Sequence, residues 1–180
     1  TDRVARDSGL LLTDSGMPGT REFTVSAGKV WYGGNRADLD TLVSTDAAPA
    51  EITALVHVAG VWTTIAINAY NNSHYDDGTN LVALPVGKYA VNWVYRSVGT
   101  TPRLIAFLGA TPATLAEAQA SQPPASMPEW IASHYILVGR IIVLEGGASA
   151  TQVDSAFSTT FAASPLADHE DLSNRLGYDT

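Results

Sequence analysis

The chain has 180 residues, 46% hydrophobic and 16% charged, with a formal net charge of −8 and no cysteine. That balance sustains a packed core and argues against disorder along the whole chain. Disulfides and thiolate metal sites are excluded, and the acidic charge makes duplex DNA and acidic membranes poor partners.

Residues 1–20 are polar and turn-rich, with charges where a signal peptide would be apolar. They read as an N-terminal arm interrupted by Leu10-Leu11-Leu12, a triplet expected to dock on a partner or a neighbouring subunit because exposed leucine clusters seldom stay uncovered. Phe23 and Val25, then Val30 and Tyr32, suggest a first hairpin turning at Ala27-Gly28-Lys29 and closed by Gly33-Gly34-Asn35. Residues 39–44 and 51–58 read as further strands. Ala59-Gly60 turns the second of these into residues 61–67, where Val61, Thr63, Ile65 and Ile67 share a face. Residues 71–80 form a long polar loop, and residues 81–84 resume a strand.

Residues 89–98 alternate clearly. Tyr89, Val91, Trp93 and Tyr95 lie on one face, with Asn92 and Arg96 opposite. Residues 103–108 follow a short linker as an antiparallel neighbour. Thr114 and Glu117 have capping-box spacing before a helix over 115–120, which Ser121-Gln122-Pro123-Pro124 ends. Residues 128–131 bridge to residues 134–144, a run apolar on both faces. Tyr135, Leu137, Gly139, Ile141 and Val143 are expected on one side, and Ile136, Val138, Arg140, Ile142 and Leu144 on the other. Such a strand needs cover on both sides and is expected at the centre of the core. Residues 152–157 make a last strand. Roughly nine strands against one helix predict a mainly β chain. The expected architecture is an antiparallel β-sandwich or jelly-roll-like domain over residues 21–160, with one short helix and extended polar arms at 1–20 and 161–180.

No active site emerges. His57, His74, His134 and His169 share no metal-binding spacing, and there is no HExxH, P-loop, GxGxxG after a strand, or nucleophile elbow. No catalytic residue, metal ligand or cofactor is therefore assigned. Asp76-Asp77-Gly78 resembles part of a calcium loop, but Ser73 and Tyr75 stand where ligands should alternate, so it reads as an exposed tip. Tyr70 and Tyr75 are the candidate contacts for a glycan, whereas Trp93 and Tyr95 read as core.

Three features resemble a known family: the strand Val91-Asn-Trp-Val-Tyr-Arg96, the block from Leu104 to Leu144, and the tail Asp168-His169-Glu170-Asp171-Leu172-Ser173. The block carries Leu108-Gly109, the Ala-rich helix, Pro123-Pro124, Met127-Pro128 and Ile-Leu-Val-Gly-Arg-Ile-Ile-Val. Together they are similar to the virion-attachment or shaft-capping domain of tailed-bacteriophage tail fibre proteins. The chain departs from that family's shaft motif at Glu170 and at Asn174-Arg175-Leu176-Gly177. The resemblance implies a non-enzymatic homotrimer, made in the bacterial cytoplasm and carried in the virion. Its partners would be other virion proteins of the tail or capsid, and neither nucleic acid nor membrane. His169, Asp171, Leu172 and Ser173 would form the assembly motif. The alternative is a carbohydrate-binding β-sandwich module that reads a cell-surface glycan through the Tyr70 to Tyr75 loop.

Overall fold

A computed structural model describes residues 4–15, 19–45, 52–99, 103–111 and 113–158. The chain is mainly β, with fourteen strands and two short helices among these residues. The first six strands are the halves of three bent segments: β1 (Ala5–Gly9) and β2 (Leu12–Asp14), β3 (Phe23–Val25) and β4 (Gly28–Tyr32), β5 (Asn35–Leu39) and β6 (Leu42–Val43). Strand β4 pairs antiparallel with β1 and β5, and β3 pairs antiparallel with β2 and β6. The first two segments stay bonded through the bend, where Leu10 N donates to Ala27 O at 3.2 Å and Ser26 N donates to Leu11 O at 2.9 Å. Leu10 marks the kink with a φ of +57°.

Two expectations change here. Residues 23–32 are one bent strand and not a hairpin. Gly28 mimics a turn residue in sequence, but a Cβ there would overlap the Ser8 carbonyl oxygen, so glycine serves close approach of the backbones. The hairpin lies one step on, at Gly33-Gly34, whose φ values of +57° and +78° suit a type I′ turn. The N-terminal arm expected over 1–20 is also corrected. Residues 5–14 belong to the domain, and the leucine triplet docks on the chain's own sheet, with Leu10 and Leu12 buried and Leu11 exposed. Alternation about the kink explains why the middle leucine points away.

Strands β7 (Ile52–Val58) and β8 (Val61–Ile67) form the expected hairpin. The polar loop at 71–80 contains β9 (His74–Asp76), which forms a separate ribbon with β10 (Leu81–Ala83). Then come β11 (Tyr89–Ser97), β12 (Leu104–Leu108), α1 (Leu115–Ala120), α2 (Glu129–His134), β13 (Tyr135–Leu144) and β14 (Gln152–Ser155). The main sheet runs β14-β13-β11-β12-β7-β8. All its pairs are antiparallel except β7 with β12. Residues 135–144 of the expected 134–144 run are thus extended, with His134 closing α2, but their strand is next to the edge, and β11 and β12 hold the centre. Residues 128–131, expected as a bridge, open α2.

Both faces of the sheet are covered. Leu10, Leu12, Phe23 and Val25 from the bent strands pack on Val94, Val138, Ile141 and Val143. On the reverse face Trp93, Tyr95, Phe107 and Ile142 pack with Ala118 of α1 and Ile131 of α2. Each fully buried Ile or Val side chain contributes about 1.5–3 kcal/mol. The strict alternation expected along β13 breaks at a β-bulge, where Val94 pairs with Gly139 and Tyr95 with Leu137, leaving Val138 as the extra residue. Ile136 and Val138 therefore share a face with Ile141 and Val143, while Tyr135, Leu137 and Ile142 face the helices.

The Gly139-Arg140 pair anchors this region. A Cβ on Gly139 would overlap the Asp154 carbonyl oxygen and approach Leu12 Cδ2 to 2.9 Å. Arg140 is buried. Its Nε donates to Asp154 Oδ2 at 2.8 Å, its Nη2 lies 2.7 Å from the same oxygen, and its Nη1 donates to Ala118 O at 3.0 Å and Ser121 O at 3.1 Å. The guanidinium also sits 5.4 Å from the Trp93 ring centroid. One side chain thus ties β13 to β14 and satisfies carbonyls at the end of α1. Arg96 is the contrast. It is equally buried, but its Nε and Nη1 have no hydrogen-bond partner among the described residues, and burial pushes its pKa down to about 10 despite the pull of Asp40.

Arg140→Leu should lower unfolding free energy by about 3–5 kcal/mol, because Asp154 is left buried and unpaired. Arg96→Met should instead raise it, by about 1–3 kcal/mol. Urea denaturation of both variants distinguishes a satisfied buried cation from an unsatisfied one. At the start of α1 the expected capping box is formed. Thr114 N and Oγ1 donate to Glu117 Oε2 at 2.7 and 2.8 Å, holding that carboxyl below its ordinary value of 4.5. A depressed folded value stabilises above the unfolded value and is lost as pH falls through it. The melting-temperature deficit of Glu117→Gln should therefore be present at pH 7 and close on acidification.

Candidate functional site

A cavity of about 360 Å³ opens where the β7–β8 hairpin, the end of β9, residues 109–110 and residues 122–126 meet. The two-residue turn at Ala59-Gly60 sets the hairpin register and so places His57 on β7 opposite Trp62 on β8. Their rings stack with centroids 3.7 Å apart and planes 36° apart. Phe107 on β12 meets Trp62 edge-on, at 5.5 Å and 85°. Trp93 on β11 completes the aromatic lining. These rings come from adjacent strands of one rigid sheet, and their mutual packing fixes their orientation.

Asp76, the last residue of β9, is buried beside them. Its Oδ2 accepts from His57 N at 2.9 Å and its Oδ1 from Gly78 N at 3.0 Å. The carboxylate also faces His57 Nδ1, at 3.2 and 3.0 Å from its two oxygens. In the neutral imidazole with Nδ1–H donating to this carboxylate, Nε2 is the acceptor nitrogen. Asp77 continues the turn. Its Oδ1 accepts from Thr79 N at 2.8 Å and Asn80 N at 2.7 Å, and these donors hold its carboxyl below the ordinary value of 3.8. Gln122 and Ser126 add neutral polar groups to the lining. Among the described lining residues there is no lysine or arginine, and no group of three or more His, Cys, Asp or Glu could hold a metal.

The expected site residues distribute differently. Tyr70 is corrected: it is wholly buried, packed in the core between the bent strands and the main sheet, and cannot be an exposed glycan contact. Burial, with the nearby Asp14 charge, raises its phenol pKa to about 12. Tyr75 is half-buried against the same core. Asp76 is corrected as well, being a buried acceptor and not part of an exposed tip. His169, Asp171, Leu172 and Ser173 lie outside the described residues. Sequence reasoning missed the association of His57 with Asp76, which lies across two hairpins. The facing of His57 and Trp62 was accessible from the Ala59-Gly60 turn alone.

Comparison with protein families, curated proteins and solved structures finds no match to the chain.

Asp76→Ala strands the His57 and Gly78 amides and the His57 ring donor. It should cost about 2–3 kcal/mol, read as a lower urea midpoint with unchanged slope.

Proposed function

We propose that the chain is a structural, non-enzymatic component of a tailed-bacteriophage particle, a fibre or adaptor protein that anchors a trimeric fibre to the tail or capsid. The observation that supports it best is an open apolar sheet edge. Strand β8 ends the main sheet and pairs only with β7 among the described strands. Val61 is 65% exposed and Ile65 38%, with Val58 at 46% across the turn. An edge with free backbone groups and apolar side chains calls for cover, and copies of the same chain supply it in a closed ring. The segment that resembles the fibre family supports the same reading. Its strand, its helix and its Gly-Arg run meet at Trp93 and Arg140, so they behave as one packed unit.

On this reading the partners are copies of the chain and other virion proteins of the tail or capsid. Nucleic acid and membrane are not partners, and no helix among the described residues is long and apolar enough to cross a membrane. The role is mechanical: one surface docks on the particle while the assembly projects a fibre. The carbohydrate-binding alternative cannot use Tyr70, which is buried.

Light scattering of the chain should give a trimer, set against the 19.0 kDa of one copy. Ile65→Asp, at the exposed edge, should shift it towards monomer with its fold intact by circular dichroism. A monomeric wild-type chain at high concentration would overturn the assembly reading.

A further inference from the structure

We propose that the cavity between the β7–β8 hairpin and residues 122–126 binds one neutral pyranose ring of a glycan. Its volume of about 360 Å³ suits a single small ring and falls within the usual span of ligand sites, about 300–1,000 Å³. The first reason is shape. Trp62 is half-buried, and its indole stacks on His57 and stands nearly perpendicular to the Phe107 ring. A fixed indole offers a flat apolar surface to the C–H face of a sugar at little entropic cost.

The second reason is the mixture of polar groups around that surface. A pyranose carries hydroxyls at its rim, each able to donate and accept. Asp77 is an acceptor, Gln122 and Ser126 can do both, and neutral His57 with Nδ1–H on Asp76 presents Nε2 as an acceptor. The third reason is charge. Two carboxylates and no described lysine or arginine line the cavity, which disfavours phosphorylated sugars and uronic acids. An aromatic and acidic lining also resembles a site for a quaternary ammonium. Asp76 weighs against that, since His57 and two backbone amides already take up its carboxylate. The site is independent of the fibre reading, which is decided by mass in solution.

The test uses the full chain in an ¹H–¹⁵N spectrum, where each of its four tryptophans gives one indole resonance. The probes are methyl α-D-glucopyranoside, methyl β-D-galactopyranoside and N-acetyl-D-glucosamine, with glucuronate and choline as contrasts. At least one neutral sugar should move the Trp62 and Trp93 signals saturably while Trp31, on the bent strands, stays fixed. Trp62→Ala should weaken that binding by about tenfold or more. Gln122→Ala, at an exposed position, should weaken it too and serves should Trp62→Ala fail to fold. The inference is overturned if no neutral sugar produces saturation, if choline or glucuronate alone does, if Trp31 shifts alongside the others, or if a folded Trp62→Ala binds as the wild type does.

Discussion

The fold depends on one buried cation. Arg140 reaches from the penultimate strand to the last strand, to the end of α1 and to the face of Trp93. A guanidinium in such a place is costly unless each of its donors finds a partner. Here the partners come from elements distant in sequence, so satisfying the charge and assembling the fold are the same event. Gly139 makes the arrangement possible, because the absence of a side chain lets the last strand and Leu12 close in at the bulge. The helix alone, with six residues, would not persist in water. It persists because its start is capped by Thr114 and Glu117 and its final carbonyls receive Arg140.

Much of the architecture could be read from the residues, and the errors share a cause. Alternation identified the strand from Tyr89, and the short linker after it identified its antiparallel neighbour, since both signals are local. The capping box was local too. The bend at Leu10 and Ala27 was not, because a glycine that permits close backbone approach looks like a glycine that permits a turn. The bulge at Val138 escaped for a similar reason: an extra residue in an uninterrupted apolar run leaves no compositional mark. Tyr70 illustrates the limit for function, as a tyrosine beside a polar loop carries no sign of which way its ring goes. The cavity was least legible, since its parts lie on separate hairpins and loops that only the tertiary fold makes neighbours.

The two functional readings occupy different surfaces. The apolar edge on β8 is extended, and no described strand but β7 pairs with it, the geometry of contacts between large partners. The aromatic cavity is small, concave and acidic, the geometry of recognition of a single chemical unit. They share the β7–β8 hairpin, whose Trp62 lines the cavity while Val61 and Ile65 stand exposed. Burial of that edge against a neighbour would stiffen the hairpin and with it the placement of the indole. Assembly and ligand recognition would then be coupled through one two-stranded element.

Strand β2 lies beside the final strand, and Leu12 N donates to Ser155 Oγ at 3.4 Å across 143 residues of sequence. A growing chain therefore holds Leu10 and Leu12 without their cover until nearly all of the domain has emerged. At typical rates of synthesis that delay is on the order of ten seconds. The domain cannot fold progressively from its beginning. Its maturation waits on synthesis of β14, and the exposed leucines make the nascent chain a natural client for chaperones during that interval.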